Sequence, residues 1–597
     1  MAEHDSSAAS PRPATPDAAA IDWRPWALAL AFAALFASGL FSCLDCLGIA
    51  DWDSFTAHAL VSRRAVLEYG QLPTWNPYHC GGMSIAANFQ SRTYSPSFLL
   101  VLAFGPVLGL RLWVVLLLAL GFEGGRRLAL RTGASTSGSL LVGLVAAGNG
   151  HVIMHMAAGH LALLTVVLAP LFAMAVRDAW DTPRRGLACA GLWGGLVLAE
   201  GGLYPFVYMV LLAGLWSALE ALRRRKARPL VAPALAAAGA LLVSAATMLP
   251  SVIYLLGRGA RPIDQMETLP AGALGTLLLG VDQGIDGRMR FPGQAWWWHE
   301  YGTYVGPLFL LLVALGSWRA PRKALPWVLL GVAFLLVALG DHGPLSPWRL
   351  LHHLPVFDSM RVPSRALYFT VLCWGLAAAR ALDGVALRTG GVVVALLALN
   401  LAVVLVPVGF SAFGVPVDLS PHDGRFQQRA GLQQVQRLAR ENRTTQTLDV
   451  LHERGDVECY DPVAPPIGAR QQPPGVGEVE LLDAEGRPAG RVRTLAWSPS
   501  RLVYAVDVPD DPLALVVNQN YDAGWVRADG VPVRSAGGRL ATVVAPGTER
   551  VELEYAPLDL YVGLIIGLLS LAVCLRELRR SAASRAHSDS ASSTLGA

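Results

Sequence analysis

Long apolar runs recur along most of this sequence and are separated by short polar connections. They lie at roughly 25–44, 97–120, 136–150, 158–176, 186–199, 203–222, 230–250, 303–317, 325–340, 366–380, 390–410 and 558–575. A helix needs about 20 apolar residues to cross the hydrocarbon core of a bilayer, so the bounds of the shorter runs are set only to within a few residues. The pattern predicts a polytopic α-helical membrane protein with twelve transmembrane helices.

The short connections alternate in their content of Lys and Arg. The basic ones carry Arg126, Arg127 and Arg131; Arg177, Arg184 and Arg185; Arg223, Arg224, Arg225, Lys226 and Arg228; Arg319, Arg322 and Lys323; Arg380 and Arg388; and Arg576, Arg579 and Arg580. The connections near 151–160 and 200–203 contain neither residue. Because cytoplasmic loops are rich in Lys and Arg, we predict that both termini are cytoplasmic and that the long polar segments are all on the outer side. These are 48–96, 251–302, 341–365 and 411–557.

Segment 411–557 has the pattern of a separate extracytoplasmic domain. Its part 421–445 has helical spacing, and from about 477 strand-length stretches such as RVRTLAWS and LALVVNQN alternate with turn residues. This rhythm predicts a small antiparallel sandwich. The predicted organisation is then a disordered cytoplasmic tail (1–22), a transmembrane module (23–410) with its first outer loop at 48–96, a mainly-β domain (411–557), a last transmembrane helix (558–576) and a cytoplasmic tail (577–597).

Composition narrows the class of protein. The chain of 597 residues is 53% hydrophobic and 15% charged, with a mean hydropathy of +0.43, whereas soluble proteins carry about 25% charged residues. This excludes a soluble enzyme, a disordered scaffold and a nucleic-acid binder, and makes the lipid bilayer the first expected partner. The sequence contains no P-loop, Rossmann fingerprint or nucleophile elbow, which disfavours an ATP-driven pump or an enzyme using cytoplasmic nucleotide sugars.

Seven cysteines exclude a disulfide-stapled secreted module. Four of them are predicted to lie at or beyond the outer surface: Cys43, Cys46, Cys80 and Cys459. In an oxidising compartment we expect one structural disulfide among them, with Cys46–Cys80 as the pairing considered.

The first outer loop opens with two acids, Asp51 and Asp53, on either side of Trp52. Carboxylates one residue apart at a membrane surface can bind a divalent cation or act as a base toward a hydroxyl. The alternative is a helix cap or a solvated start of the loop. The sequence does not decide between these two interpretations or between the two acids.

The acid pair at the head of a long outer loop resembles the GT-C superfamily of polytopic glycosyltransferases. Four stretches resemble, more specifically, the YfhO family of bacterial membrane proteins, although members of that family can show a single acid in the first loop. The stretches are Gly70-Gln-Leu-Pro-Thr-Trp75-Asn76-Pro77 with Gly81-Gly82, His299-Glu300-Tyr301-Gly302, Leu354-Pro355 through Arg361 and Arg365, and Asn518-Gln519-Asn520-Tyr521 with Gly524-Trp525.

This resemblance implies an inverting GT-C-type glycosyltransferase in the bacterial inner membrane. It would transfer a sugar from a polyprenyl-phosphate-linked donor to an envelope glycan or protein acceptor on the outer side. Asp51 or Asp53 would be the catalytic base or a metal ligand. The expected substrate-binding residues are Arg361, Arg365, Glu300, Trp75, Asn76, His160 and Glu200.

Two of these expectations also have a physical basis. Arg361 and Arg365 are four apart across Pro363, and if helical they would share a face and could clamp a phosphate. The alternative for them is contact with lipid headgroups at a helix end. Glu200 lies in an apolar stretch, where a carboxylate is costly and a functional role is the first hypothesis, unless it is solvated at the outer boundary.

Further residues predicted on the outer side are candidates for metal or substrate binding, and the sequence does not rank them. His151, His155 and His160 include an H-x-x-x-H spacing that could hold a metal, with polar packing as the alternative; a divalent cation is the one cofactor considered. The tryptophans at 296–298 could stack on a sugar or belong to an interfacial belt. Other outer charges are Arg92, Arg258, Arg261, Arg288, Arg290, Asp282 and Asp286.

Two other function classes stay open at this level. A transporter or flippase for lipid-linked glycans would show paired, discontinuous spans with ionisable groups at the midplane. A non-catalytic envelope assembly protein would keep the fold and bind glycan through segment 411–557. An assembly protein would tolerate loss of both first-loop acids, which an enzyme would not.

Overall fold

The computed structural model describes residues 23–257, 267–284, 290–291, 294–413, 433–435, 446–457, 459, 466–472 and 477–594. The predicted tail 1–22 and the candidates Arg258, Arg261, Asp286 and Arg288 lie outside these ranges. Most of the segment with predicted helical spacing, 421–445, lies outside them too. Its described part, Gln433–Val435, is a strand paired in parallel with Arg454–Asp456, so the helix prediction is wrong there. Pairing with the strand Arg454–Asp456 decides the structure of this stretch, against the helical spacing of its apolar residues.

Every apolar run predicted to span the membrane contains an α-helix. The helices are Arg24–Phe36, Trp52–Leu67, Ser97–Phe104, Pro106–Arg131, Thr136–Gly148, Gly150–Ala157, Leu161–Leu164, Ala169–Asp181, Pro183–Ala199, Leu203–Arg224, Arg228–Val243, Ala245–Leu256, Leu274–Leu279, Pro307–Arg319, Pro321–Ala338, Pro347–Leu351, Leu367–Ala378, Leu387–Ser411, Gln446–Leu451 and Leu558–Thr594. Several open on a proline, whose missing N–H costs nothing in the first helical turn.

In the described residues, seven helical segments are long and apolar enough to cross a membrane. Some of these segments join consecutive helices into one continuous span. The pair Arg228–Val243 and Ala245–Leu256, bent by 94°, would add an eighth. Arg24–Phe36 and Pro307–Arg319 are apolar but shorter. The protein is therefore a multi-pass helical membrane protein with a β-rich C-terminal region, while the count of twelve spans stays a prediction.

Glycines set the closest helix contacts. A Cβ on Gly125 would lie 2.8 Å from the Cβ of Ala146, and one on Gly316 would lie 2.2 Å from the carbonyl oxygen of Ala377. Small residues allow such close approach between helices within a membrane. These contacts join Pro106–Arg131 to Thr136–Gly148, and Pro307–Arg319 to Leu367–Ala378.

The predicted cytoplasmic turns contact one another. Arg131 pairs with Asp178 at 2.8 Å, and Arg224 pairs with Asp181 at 2.7 Å. Arg380 donates to the carbonyl oxygen of Gly133 at 2.7 Å. Loops that the charge pattern assigns to one side therefore do lie on one side, although which side is cytoplasmic stays a prediction.

The C-terminal region contains two four-stranded antiparallel sheets. One has the order Val533–Ala536, Arg539–Val544, Leu513–Asn520, Val479–Leu482, and the other the order Arg491–Ser498, Arg501–Asp507, Arg550–Tyr555, Trp525–Arg527. Leu515 and Leu540 of the first sheet share one buried core with Leu502 and Leu553 of the second. This arrangement agrees with the predicted sandwich and adds one strand, Val533–Ala536, which the sequence pattern missed.

The structure has two disulfides among the four cysteines predicted to be outside, Cys43–Cys46 and Cys80–Cys459. The pairing Cys46–Cys80 considered from the sequence is wrong. Cys46 has its partner only three residues away, with 5.4 Å between their Cα atoms. Cys80 instead lies against the C-terminal region, where the N–H of Gly81 donates to the carbonyl oxygen of Asp456 at 2.7 Å.

Candidate functional site

Several segments that are distant in sequence, and that are predicted on the outer side, meet around His160. The contact begins at Gly159, which has a φ of +75° and lies so close to the start of helix Trp52–Leu67 that a Cβ would be 2.4 Å from the backbone nitrogen of Trp52. Only glycine fits such a position without strain. The indole of Trp52 donates to the carbonyl oxygen of Met156 at 2.9 Å. Asp51 is thereby held beside His160, with 3.5 Å between Oδ2 and Nε2.

A break in one helix lets a second outer segment approach. The helix Thr136–Gly148 stops at Asn149 and resumes as Gly150–Ala157, as its Gly-Asn-Gly sequence suggests. The N–H of Gly150 donates to the carbonyl oxygen of Tyr304 at 2.8 Å, and a Cβ on Gly150 would be 2.2 Å from the nitrogen of Tyr304. The segment that carries His299 and Glu300 therefore packs directly against the helix that carries His151 and His155.

The result is a histidine cluster formed by His151, His155, His160 and His299. The ring centroids of His151 and His155 are 4.3 Å apart, and those of His160 and His299 are 4.6 Å apart. The Nδ1 atoms of His155 and His160 face each other at 2.8 Å. Burial lowers the pKa of His160 to about 3, despite the opposing charge of Glu300. Burial also lowers the pKa of His299, so both rings are neutral at physiological pH.

Glu300 is the buried acid of this cluster and forms a bidentate ion pair with Arg365. Nε and Nη2 of the guanidinium lie 2.8 and 2.5 Å from the two carboxylate oxygens. Burial would raise the pKa of Glu300, but the charge and hydrogen bonds of Arg365 lower it to about 2. The guanidinium also lies 4.7 Å from the ring centroid of Tyr204. Arg365 is thus engaged by a protein carboxylate, in the geometry that makes Arg–carboxylate pairs strong.

Arg361 differs from Arg365 in its surroundings. It is exposed and precedes the 3₁₀ turn Pro363–Ala366 that contains Arg365, so the shared helical face considered from the sequence is absent. Its backbone N–H donates to the Tyr204 hydroxyl at 3.0 Å, and its guanidinium is 5.7 Å from the ring centroid of Trp296. Tyr204 therefore connects the two arginines.

Asp53 lies in a different environment from Asp51. The Asp53 side chain is buried and accepts hydrogen bonds from the backbone N–H groups of Gln446 and Thr447, at 2.8 and 3.0 Å. It thus caps the helix Gln446–Leu451, which we call the clamp helix, where a negative charge is favourable. The other end of the clamp helix is held by Arg64, which donates to the carbonyl oxygen of Val450 at 3.1 Å.

Trp75 and Asn76 also lie at the junction between the first outer loop and the C-terminal region. Both are buried. The indole of Trp75 donates to Gln519 at 2.7 Å, and its ring centroid is 4.7 Å from that of Tyr555. Asn76 contacts His58, with 3.2 Å between Nδ2 and Nδ1. The contacts of Trp75 dock the first outer loop onto the C-terminal region, whereas the contact of Asn76 lies within the first outer loop.

The stretch Asn518-Gln519-Asn520 forms the other half of this junction. Asn518 accepts from the N–H of Arg470 and donates to its carbonyl oxygen, at 2.8 and 2.7 Å. Asn520 donates to the carbonyl oxygens of Cys80 and Gly82, at 2.6 and 2.9 Å. Two of the four family-like stretches are therefore explained by packing between the first outer loop and the β-rich region.

Glu200 is fully buried, and its carboxylate accepts hydrogen bonds from Arg92 and Ser95. The structure brings Asp51, His160, Glu300 and Arg365 together, with Arg361 close by through Tyr204. Among the contacts of the described residues, none joins Asp53, Trp75, Asn76 or Glu200 to that group.

Several members of the site were not predicted as site residues, although His299 and Tyr301 lie in the family-like stretch at 299–302. Tyr204, His299 and Tyr301 contact the residues named above, and the Tyr301 hydroxyl donates to Glu267. Burial raises the pKa of Glu267 to about 7. His299 and Tyr301 adjoin Glu300 in the sequence and could have been found there, whereas nothing near Glu267 or Tyr204 indicates their position.

Two groups of side chains in the described residues have a spacing that suits a metal ion. His155, His160 and Glu300 each place a ligand atom within 4.8 Å of the others. His79, Cys80 and Cys459 do the same, but the two cysteines form a disulfide and so offer no thiolate. Among these groups only the first keeps its full set of ligand atoms.

Comparison with known proteins gives distant matches only. No family model matches the sequence, and no curated protein matches it. Among solved structures, arabinofuranosyltransferase AftD from mycobacteria matches with a TM-score of 0.46 and 16% identity over 91% of this chain and 40% of that one. A mutant of AftD matches with a TM-score of 0.43 and 17% identity over 76% and 34%. This chain thus spans less than half of AftD, the YfhO assignment gains no support, and the likeness is too distant to assign an activity.

Proposed function

We propose that this protein is a membrane glycosyltransferase of the GT-C type. It transfers a sugar from a polyprenyl-phosphate-linked donor to a cell-envelope acceptor on the outer side of the bacterial inner membrane. The observation that carries the proposal is Asp51, a carboxylate with a side chain 42% exposed, beside a cluster of buried histidines and the Glu300–Arg365 pair. An accessible base next to buried, fixed charges, at the ends of apolar helices, suits a reaction between a lipid-anchored donor and a polar acceptor.

In the proposed reaction the acceptor hydroxyl attacks the anomeric carbon of the donor sugar. The new C–O bond forms as the bond to the phosphate oxygen breaks, and the lipid phosphate leaves with that electron pair. Asp51 accepts the proton of the hydroxyl. Attack from the face opposite the leaving group inverts the anomeric configuration.

The two arginines have different parts in this proposal. Arg361 is exposed and has no carboxylate partner among the described contacts of its side chain, so it is the better candidate to contact the donor phosphate. Arg365 is a positioning residue, because Glu300 occupies its guanidinium fork. Asp51 is preferred to Asp53 as the base, because the oxygens of Asp53 are taken by the clamp helix.

One observation bears on the transporter alternative. The helices Arg228–Val243 and Ala245–Leu256 meet at a 94° bend, as in a broken span or a re-entrant loop. The residue at the bend is Ser244, whose hydroxyl donates to the carbonyl oxygen of Ala240 at 2.8 Å. No ionisable residue lies between 229 and 257, apart from Tyr254, so this bend lacks the charged groups that a transport site needs. The enzyme proposal is favoured for that reason.

The proposal is tested by comparing envelope glycans by mass spectrometry in a deletion strain. The strain is complemented with the wild type or with Asp51→Asn, at equal membrane abundance. We expect one sugar to be absent from the deletion strain, restored by the wild type, and not restored by Asp51→Asn. Full restoration by Asp51→Asn would overturn the assignment of the base, and an unchanged glycan profile in the deletion strain would overturn the proposed function.

A further inference from the structure

The facing nitrogens of His155 and His160 lie beside the carboxylate of Glu300. The nitrogens are 2.8 Å apart, and Nδ1 of His160 is 4.0 Å from Oε1 of Glu300. We propose that His155, His160 and Glu300 bind one Zn²⁺ ion.

The donor set suits zinc. Two imidazole nitrogens and one carboxylate form a common set in catalytic zinc sites, which leave a fourth position for water or substrate. Two nitrogens bound to one tetrahedral Zn²⁺ at 2.0–2.1 Å are about 3.3 Å apart, so the observed pair would need to open by only a few tenths of an ångström.

The surrounding groups have the arrangement that orients metal ligands. Asp51 Oδ2 lies 3.5 Å from Nε2 of His160, the ring nitrogen that does not face His155. A carboxylate hydrogen-bonded to that nitrogen fixes the tautomer and orientation of a zinc-bound histidine, and Asp51 would reach that distance by moving a few tenths of an ångström closer. Glu300, the proposed carboxylate ligand, is held by two hydrogen bonds from Arg365. Because a carboxylate has about four lone-pair positions, two of them remain available for a metal ion.

Polar packing is the main alternative and accounts poorly for this cluster. His151 Nδ1, His155 Nε2 and His299 Nδ1 are buried without a hydrogen-bond partner among the described residues. Leaving a buried polar group unpaired costs about 1–3 kcal/mol. The Nδ1 pair satisfies one nitrogen each of His155 and His160, but packing alone leaves these three other ring nitrogens unpaired, and buried polar groups are ordinarily paired.

The test measures zinc in the purified full-length chain, without any substrate. The protein is purified in detergent through a tag without histidine, stripped with a chelator, exposed to Zn²⁺ and freed of excess metal. We compare wild type, His155→Ala, His160→Ala and, as a control, His353→Ala, whose side chain is exposed and outside the cluster. Metal content is read by mass spectrometry, and folding by size exclusion and thermal melting.

We expect wild type and His353→Ala to hold about one more Zn²⁺ per chain than either cluster variant. Asp51→Asn should weaken zinc affinity roughly 10-fold or more without abolishing binding, as loss of such an orienting partner does. If the alanine variants do not fold, the conservative His160→Gln is used, together with the visible spectrum of Co²⁺ added to wild type. A tetrahedral Co²⁺ spectrum with nitrogen and oxygen ligands is then expected in wild type and not in His160→Gln.

The inference is overturned if wild type holds no more zinc than His155→Ala and His160→Ala, or if His160→Gln leaves the Co²⁺ spectrum unchanged. This readout does not require glycosyltransfer. If the protein binds zinc but its deletion leaves the glycans unchanged, only the proposed function is wrong. If the deletion removes a sugar but the protein binds no zinc, only the zinc proposal is wrong.

Discussion

At the level of single residues, position along the chain did not reveal which acid of the first loop faces the site. Asp51 and Asp53 are two residues apart, yet their exposures differ. The side chain of Asp51 is 42% exposed, whereas Asp53, measured over the whole residue, is 4% exposed. The difference depends on the clamp helix, which lies almost 400 residues later in the chain. A sequence pattern can flag both acids, but it cannot assign them, because their partners are non-local.

The Glu300–Arg365 pair gives a stability prediction. Their side chains are 5% and 16% exposed, and removing one partner of a buried ion pair costs about 3–5 kcal/mol because the other charge is left unpaired. We expect Glu300→Gln and Arg365→Met each to lower the melting temperature in detergent. The double variant should lose less than the sum of the two, and strict additivity would contradict the pairing.

Glu267 gives a pH-dependent prediction. Burial raises its pKa from the ordinary 4.5 to about 7, so the folded protein holds this proton more tightly than the unfolded chain does. Its contribution to stability is full below about pH 4.5 and is lost as the pH rises through about 7, a difference of up to about 3 kcal/mol. We expect Glu267→Gln to gain thermal stability over wild type at pH 8 but not at pH 5. An equal effect at both pH values would contradict a raised pKa.

At the level of elements, hydrophobic pattern predicted most of the fold. Each apolar run contains a helix, and each predicted strand stretch after 477 is a strand. The helical spacing within 421–445 failed at Gln433–Val435, because strand pairing with Arg454–Asp456 is a long-range interaction. The cysteine pairing failed in part for the same reason, since the partner of Cys80 is 379 residues away, whereas the partner of Cys46 is only three residues away. Local patterns report periodicity, and they carry no information about distant partners.

The junction between the first outer loop and the β-rich region gives a prediction for these elements. Asn520 accepts from the N–H groups of Gly468 and Ala469 and donates to the carbonyl oxygens of Cys80 and Gly82. Asn520→Ala leaves several of these buried groups without partners, at about 1–3 kcal/mol each. We expect a clear drop in melting temperature and faster proteolysis of the loop near 466–472. The exposed turn variant Asp510→Asn is the control, and equal behaviour of both would contradict the docking role.

At the level of the whole molecule, the alternation of basic loops agrees with the contacts among them, since loops predicted on one side contact each other. The contacts place these loops on one side of the membrane without identifying that side. The sequence supplies that assignment through the positions of Lys and Arg.

A labelling experiment tests this orientation. Thr182 and Asp510 are both exposed and are predicted on opposite sides of the membrane. A membrane-impermeant maleimide added to intact spheroplasts should modify Asp510→Cys at once and Thr182→Cys only after permeabilisation. The four cysteines predicted outside are in disulfides, and the partly exposed free cysteines Cys189 and Cys574 are replaced by Ala in both variants to keep the background low. Immediate labelling of Thr182→Cys with protection of Asp510→Cys would invert the topology.

The central claim is that the two acids have different roles. Asp51 acts as the base in the reaction, and Asp53 stabilises the fold by capping the clamp helix. The most direct test measures both variants for glycan restoration per molecule of membrane protein and for melting temperature. We predict that Asp51→Asn loses restoration while its melting temperature stays near that of wild type. Asp53→Asn should melt earlier, with a loss of about 1 kcal/mol typical of a weakened helix cap, yet restore the glycan in proportion to the folded protein. The opposite pattern, with Asp53→Asn stable but inactive and Asp51→Asn active, would contradict the account.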